Sequence, residues 1–396
     1  MTFKPLIGFI ALAVPVAAIA LSPLNPVFAK TNGFTPLVSA QQLQDKYVGA
    51  ADKKGEKVRI LIVPGHEPNY GGAVYKGVYE REITVEIADQ LAAYLERNPR
   101  YDVVVARDTQ AWNPDLAKYF TNEMDSIQQF VTTQKNTMNK LENRGVVDQR
   151  AEEDQVSHTT VADDVAMRLY GINKWSNENG VDLVLSLHIN DAPDHGPNDP
   201  SANSGFAVYI PDPQYGNGPA SRPVGEAIAK RLAFMNATST FEGEHAGVIE
   251  DQDLIALGSN GTLDVPSVLV EYSYITESKL QQPEVRTTVT KDFAYQTYLG
   301  LQDFFKDPVR STYGTASLPY TWTVSTTASS SPETYALQAK LHTLGFYPPP
   351  ESSLVECPID GTMNECTTVA ITNFQKSMGW EPTGTLGPKT RAALNK

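Results

Sequence analysis

The chain has 396 residues, of which 41% are hydrophobic and 20% are charged, a composition typical of a folded globular protein rather than a disordered one. At this length we expect one large core and a smaller accessory domain. Acidic residues outnumber basic residues by 46 to 32, and the resulting net charge of −14 argues against nucleic acid or an anionic membrane surface as the main partner.

The N-terminus has the pattern of a targeting segment. Lys4 supplies a positive charge, residues 5–21 are almost wholly apolar, and a cleavage pattern ends at Ala29. These features predict a signal peptide at 1–29 and an exported protein of the periplasm, the cell wall or the extracellular space. The alternative is an uncleaved anchor, which would be the one membrane contact that the sequence predicts.

A polar lead-in at 30–57 has no firm periodicity and precedes the first predicted element of the core. Residues 58–63 read VRILIV and end at a Pro-Gly pair, a pattern that predicts a buried strand. His66 follows this strand, and a helix is predicted to begin at Glu80. Apolar residues at helical spacing form its buried face: Ile83, Ile87, Ala88, Leu91 and Leu95. A strand end and a helix start arranged in this way can present two metal ligands at one rim of an α/β fold.

Further buried strands alternate with helices up to residue 305. The predicted strands are 101–106, 182–189, 206–210 and 266–275, and the predicted helices are 159–177, 223–234 and most of 277–305. This alternation predicts an α/β domain at 58–306 with a mixed, mostly parallel sheet flanked by helices. Two stretches are expected outside its core, namely a helical insertion at 110–160 and a Gly-rich surface stretch at 240–264.

The C-terminal part of the chain is predicted to be a separate small domain. Residues 307–332 are rich in Ser, Thr, Pro and Tyr and predict a linker. Residues 333–396 predict a small all-α domain with a marginal core. Its Cys357 and Cys366 are the only two cysteines, and in an exported protein a disulfide is favoured over a free thiol pair or metal ligands.

His66, Glu80 and His188 are the candidate metal ligands. Two imidazoles and one carboxylate, with the fourth position left to water, form a catalytic rather than a structural zinc set. Glu271 lies inside the apolar run VLVEYSY, where an unpaired carboxylate would be costly, and we predict that it is the general base. Each residue also has a structural alternative, as a satisfied polar group, a helix N-terminal carboxylate or a salt-bridge partner.

The remaining histidines and the other carboxylates of the first helix have no such context. We expect the histidines at the surface: His158, His195, His245 and His342. Glu82 and Glu86 are expected on the solvated face of their helix.

Four motifs in order carry a resemblance to a known family. They are PGH at 64–66, GVYE at 77–80, SLHIN at 186–190 and LVE at 269–271. Together they resemble the zinc-dependent N-acetylmuramoyl-L-alanine amidases that have a single mixed-sheet domain. The resemblance covers about residues 58–305, and it implies that the three candidate ligands hold zinc and that Glu271 is the catalytic carboxylate.

The chain departs from the family pattern in three places. Glu67 and Pro68 stand where the family usually has glycines, 272–274 read YSY in place of Gly-Phe, and 110–160 is long. These departures concern substrate fit and regulation, and they leave open whether an activator protein acts on the insertion.

The C-terminal domain resembles the peptidoglycan-binding helical module. The motifs that carry this resemblance are ALQAKLHTLGFY at 336–347, AITNFQKSMGW at 370–380 and TGTLGPKTRAAL at 383–394. The two resemblances together imply a cell-wall hydrolase that cuts the amide between N-acetylmuramic acid and L-alanine in peptidoglycan. The alternatives are a zinc peptidase that cuts within the peptide stem and a catalytically inactive wall-binding protein.

Overall fold

The structure is a computed structural model, and it describes residues 39–51, 55–151, 155–156, 158, 161–192, 195–196, 198–307 and 330–395. The predicted signal peptide and most of the predicted linker lie outside the described residues. Within the described ranges, no helix combines the length and the apolar character that crossing a bilayer requires.

A six-stranded mixed sheet forms the centre of the large domain. The strands of the chain are β1 (Val58–Pro64), β2 (Val74–Tyr75), β3 (Val78–Tyr79), β4 (Tyr101–Val105), β5 (Leu183–Asn190), β6 (Ala207–Pro211), β7 (Val248–Asp251) and β8 (Ser267–Tyr274). In the sheet they run in the order β4-β1-β5-β8-β6-β7, and β2 and β3 form a separate hairpin. Neighbouring strands are parallel except β6 and β8, so the predicted fold class is confirmed.

Helices cover both faces of the sheet. The α-helices of the described residues are α1 (Ala40–Gly49), α2 (Glu80–Leu95), α3 (Pro114–Asn122), α4 (Met124–Glu142), α5 (Asp163–Glu178), α6 (Gly218–Met235), α7 (Ser278–Gln281), α8 (Pro283–Phe305), α9 (Pro332–Thr343), α10 (Glu365–Ser377) and α11 (Pro388–Leu394), of which the last three belong to the C-terminal domain. Helix α1 lies in the polar lead-in. Its sequence shows no firm periodicity because Leu43 and Tyr47 are its only buried residues. A capping box between Ser39 and Gln42 begins it.

Alternate residues along the strands divide most of the core into two large clusters, one on each face of the sheet. Ile60 and Ile62 of β1 pack with α2, α6 and α8, whereas Leu61 packs on the opposite face with α3, α4 and α5. Phe120 and Ile127 belong to this second cluster. The 110–160 segment is thus helical, as predicted, but the prediction that it lies outside the core was wrong.

The 240–264 stretch is likewise part of the domain rather than a surface segment. It contains the edge strand β7, whose residues pair in parallel with β6. Leu257 and Leu263 of this stretch are buried. The hydrophobic pattern of the sequence did not predict β7, because an edge strand of four residues buries too few side chains to show an alternation.

Three helices and one disulfide form the C-terminal domain. Leu337, Leu341 and Phe374 are buried in it, and the disulfide joins Cys357 and Cys366 as predicted. This domain packs against α8 of the large domain. Tyr335 donates a hydrogen bond to the Oδ2 atom of Asp292 at 3.2 Å, and Ser278 donates one to Asp360 at 3.0 Å.

The disulfide is expected to stabilise the C-terminal domain by about 2 to 3 kcal/mol, because it closes a short loop in a unit with a small core. Replacing Cys357 and Cys366 with serine should lower the temperature at which this domain unfolds, as measured by calorimetry of the full chain. Ser352→Ala, in the same connection between α9 and α10 but outside the loop that the disulfide closes, is the control. A calorimetric profile that is the same for the serine variant, the control and the wild type would contradict the expectation.

Candidate metal centre

The turn after β1 delivers His66. Gly65 donates a backbone hydrogen bond to Leu187 of β5 at 2.8 Å, and His66 then adopts a φ of 69°, a left-handed conformation that is uncommon outside glycine. A Cβ atom on Gly65 would lie 2.5 Å from Cε1 of His188. Glycine at this position therefore lets the turn approach the second histidine closely, and the two imidazole centroids are 5.0 Å apart.

Glu80, the first residue of α2, lies between the two imidazoles. Its Oε2 atom is 2.8 Å from Nε2 of His66, and its Oε1 atom is 3.1 Å from Nδ1 of His188. Two backbone groups hold the carboxylate, since Ala73 N–H donates to Oε2 at 2.8 Å and Ile189 N–H donates to Oε1 at 3.0 Å. The carboxylate is thus held from two sides, by the residue that precedes the β2–β3 hairpin and by a residue of β5.

The charges at this centre influence each other strongly. Burial alone would raise the pKa of Glu80, but the two imidazoles hold it well below its usual range. Burial lowers the pKa of His188, whereas Glu80 overcomes the effect of burial on His66 and raises the pKa of that imidazole. A carboxylate that is ionised and two nitrogens that face it are the donor types that a transition metal binds.

The arrangement of these atoms fits a metal ion. One ligand atom from each of His66, Glu80 and His188 lies within 4.8 Å of the others. Nε2 of His66 is buried, and although it lies 2.8 Å from Oε2 of Glu80, it has no hydrogen bond within the described part of the chain. A buried nitrogen that has no hydrogen bond and converges with two other donor atoms fits a metal-ligand set.

Glu271 lies beside this set, on the neighbouring strand. In the register of β5 with β8 it stands opposite His188, and its Oε2 atom is buried without a hydrogen-bond partner among the described residues. Burial raises the pKa of Glu271 well above its usual range, and the carboxylates of Glu80 and Glu244 raise it further. A carboxyl group with a raised pKa at the edge of a cleft is suited to carry a proton.

A cleft of about 500 Å³ opens next to Glu271. Glu244, Asn190, Tyr209 and Tyr274 line it together with this carboxyl group. Sequence reasoning missed Glu244, because the residue lies in the stretch that we expected at the surface. In contrast, Asn190, Tyr209 and Tyr274 lie in predicted strands or at their ends.

Arg107 is a second residue that sequence reasoning missed. It is 2% exposed, and burial lowers its pKa to about 10. Its guanidinium donates to the carbonyl of Pro64 at 3.1 Å, to that of Arg81 at 3.1 Å, and to that of Gly65. It therefore joins the turn that carries His66 to the first turn of α2. Its place immediately after the strand at 101–106 was the available signal.

Replacing Arg107 with methionine is expected to weaken metal binding by about 10- to 100-fold, the usual effect of losing an outer-shell partner. The carbonyls of Pro64 and Gly65 would lose a buried donor, and the turn would no longer be fixed against α2. Competition with a chelator measures the affinity, and Arg144→Met at an exposed position is the control. Equal affinities in the two variants would show that the guanidinium does not support the centre.

Among the described residues, the other four histidines do not belong to the group of possible metal ligands. His245 is exposed as expected, whereas the other three are half-buried and contact neighbouring groups. His158 contacts Asp251 at 2.7 Å, His195 contacts Asp191 at 2.6 Å, and His342 contacts the carbonyl of Tyr347 at 2.6 Å.

Two acidic residues, Glu86 and Glu67, differ from simple surface charges. Glu82 is exposed as expected, but Glu86 is half-buried, and burial raises its pKa. The prediction of a solvated Glu86 was therefore wrong. Glu67, one of the departures from the family pattern, accepts hydrogen bonds from Trp112 at 3.1 Å and Arg168 at 2.7 Å. In this chain Glu67 thus ties the His66 turn to α5.

The fold and the donor set define an α/β protein with a candidate catalytic metal site. A family model described as N-acetylmuramoyl-L-alanine amidase matches residues 60–303, which is more than half of the chain. The chain therefore belongs to the N-acetylmuramoyl-L-alanine amidase family. A second model, described as a putative peptidoglycan binding domain, matches residues 330–394.

Individual relatives are similar to this chain at lower levels. A probable N-acetylmuramoyl-L-alanine amidase of Haemophilus influenzae, AmiB, is 26% identical over 256 residues, which are 62% of this chain and 52% of the relative. The chain thus spans about half the length of that curated relative. The solved N-acetylmuramyl-L-alanine amidase of Mycobacterium smegmatis is 16% identical with a TM-score of 0.41, and the match covers 63% of this chain and 98% of that one. The CwlD amidase of Clostridioides difficile, solved with the GerS lipoprotein, has the same identity and TM-score and covers 63% and 99%.

Proposed function

We propose that this protein is an exported, zinc-dependent hydrolase of the amide bond between N-acetylmuramic acid and L-alanine in bacterial peptidoglycan. The observation that carries the proposal is the convergence of His66, Glu80 and His188 beside the unpartnered carboxyl group of Glu271, in a chain of the amidase family. A zinc ion held by these three residues would activate water and polarise the substrate carbonyl.

In the proposed mechanism Glu271 moves the proton. Its carboxylate takes a proton from the attacking water and then delivers it to the nitrogen of the leaving L-alanine as the C–N bond breaks. The products are a carboxylate on the lactyl group of the sugar and a free amino group on the peptide. Glu80 and the two histidines keep their positions during these steps because backbone N–H groups and the Arg107 guanidinium hold the segments that carry them.

We also propose a function for each part of the chain. Residues 58–306 form the catalytic domain, 333–396 bind the peptidoglycan wall, and 307–332 connect the two. Peptidoglycan, through both its glycan strand and its stem peptide, is thus the expected partner, and holding the enzyme on its polymer raises the local substrate concentration. Since Phe120 and Ile127 are core residues, an activator protein that displaced the 110–160 segment would have to disrupt the second core cluster.

Digestion of purified peptidoglycan tests the proposal. The products should be peptide-free glycan strands and stem peptides with an N-terminal alanine, and a chelator should abolish their release until zinc is restored. Shortened stems that remain attached to sugar would instead establish the peptidase alternative. Wall binding without any product, in the presence of zinc, would favour the inactive wall-binding protein.

A further inference from the structure

One wall of the cleft is organised around Glu244. This carboxylate is 2% exposed and ends the short 3-10 helix Glu242–Glu244. It accepts hydrogen bonds from the hydroxyls of Tyr209 on β6, at 2.5 Å, and Tyr274 on β8, at 2.8 Å. It also accepts from the side-chain amide of Asn190 on β5, whose Nδ2 atom lies 2.9 and 3.1 Å from the two carboxylate oxygens. Glu244 therefore ties three neighbouring strands together.

These contacts determine how the amide of Asn190 is oriented. All of the groups that meet Glu244 can donate, and a carboxylate that accepts from them offers no hydrogen in return. The opposite amide orientation would place the Oδ1 atom of Asn190 against two carboxylate oxygens, which is repulsive. The network thus assigns the NH₂ group to Glu244 and leaves Oδ1 as an acceptor that no donor among the described residues uses.

This acceptor is close to the proposed chemistry. Asn190 follows the candidate ligand His188 by two residues on β5, and it lines the same cleft as Glu271. It is half-buried, so a bound substrate can reach it. A site that uses a few oriented polar groups in a cleft fixes the position of its substrate through such contacts.

We propose that Asn190 is a substrate-binding residue, whose side-chain oxygen accepts a hydrogen bond from a secondary amide N–H of the substrate, and that Glu244 is the positioning residue that keeps this oxygen turned to the cleft. The inference rests on the proposed function. Besides the N–H of the amide to be cut, two such N–H groups flank it, namely the peptide N–H that follows L-alanine and the acetamido N–H of the sugar, and one of these two is the donor in this proposal.

Modified substrates show which of these two N–H groups donates to Asn190. The full chain loaded with zinc is assayed on a defined muramoyl peptide, on an analogue N-methylated at the peptide bond after alanine, and on one whose acetamido group is replaced by an acetate ester. Wild-type protein should lose about 10-fold in kcat/KM on one of the two analogues, the size expected for one hydrogen bond. Asn190→Ala should lose about as much on the unmodified substrate and nothing further on that analogue.

Glu244→Gln tests the positioning role. Its amide can donate to Oδ1 of Asn190, so the Asn190 amide is free to turn over and present its NH₂ group to the cleft. We expect this variant to lose the same discrimination, through a higher KM rather than a lower kcat. Tyr209→Phe is the matched control, because it removes one donor from Glu244 without changing which end of the Asn190 amide faces it, and it should keep the discrimination. Zinc affinity, measured by chelator competition, should be equal in all variants.

The outcomes separate the two proposals. If wild-type protein releases no peptide from the unmodified substrate, the proposed function is overturned, and this inference is overturned with it. If hydrolysis is normal but wild type discriminates against neither analogue, or Asn190→Ala discriminates as wild type does, only the binding role of Asn190 is overturned. Discrimination retained by Glu244→Gln overturns the positioning role, and Asn190→Ala tests the binding role independently of whether Glu244→Gln folds.

Discussion

Replacing Glu271 with glutamine is expected to lower kcat by about 100- to 10,000-fold, the usual contribution of a general acid–base group. Glutamine keeps the shape of the side chain but can neither take a proton from water nor pass one to the leaving amine. The environment supports this role, since Glu271 stands opposite His188 and its buried Oε2 atom has no hydrogen-bond partner in the described structure. Initial rates on a defined muramoyl peptide measure the effect.

Two further measurements make the Glu271 result specific. Zinc affinity and binding to purified cell walls should be retained in Glu271→Gln, because neither the ligand set nor the C-terminal domain is altered. Glu226→Gln, at an exposed position of α6, is the matched control and should keep wild-type rates. A Glu271→Gln variant that binds zinc and still turns over within a few-fold of wild type would refute the assigned role.

Glu80→Gln is expected to lower zinc affinity by at least about 100-fold, since even an outer-shell change costs 10- to 100-fold. The carboxylate accepts from Ala73 N–H through one oxygen and from Ile189 N–H through the other. An amide has one acceptor oxygen, so one of these buried N–H groups must face an NH₂ group. The substitution therefore removes a charged ligand and also breaks one of the two backbone hydrogen bonds that hold the side chain in place.

Titration of the metal-free protein with zinc, in competition with a chelator, measures this loss. Glu82→Gln is the matched control, because Glu82 is exposed on the same turn of α2 and contacts neither imidazole. Hydrolysis should fall in parallel with the zinc occupancy of Glu80→Gln. Zinc binding of wild-type strength in this variant would mean that the metal is held elsewhere.

The elements that carry the candidate site could be predicted from the sequence because each buries a long apolar surface. Strands β1, β5 and β8 are continuous apolar runs, and α2 has a full apolar face, so each has a strong periodic signal. The polar residues at their ends, His66, Glu80 and His188, stand out against these runs. Glu271 stands out inside one.

The residues that the sequence did not reveal act through tertiary contacts. Glu244 lies in a stretch without periodicity, and its importance comes from Tyr209, Tyr274 and Asn190, which converge on it only after the sheet has formed. Arg107 is an ordinary charged residue in sequence, and it is special because its guanidinium reaches carbonyls 43 and 26 positions away. No local pattern encodes either set of contacts.

The measurement that tests the central claim most directly is digestion of a defined muramoyl peptide in ¹⁸O-labelled water with the zinc-loaded protein. Mass spectrometry should find one ¹⁸O atom in the lactyl carboxylate of the sugar and an unlabelled peptide that begins with a free alanine. Label in the carboxylate of a peptide fragment, with the sugar still joined to alanine, would contradict the account and show that the bond cut lies within the stem.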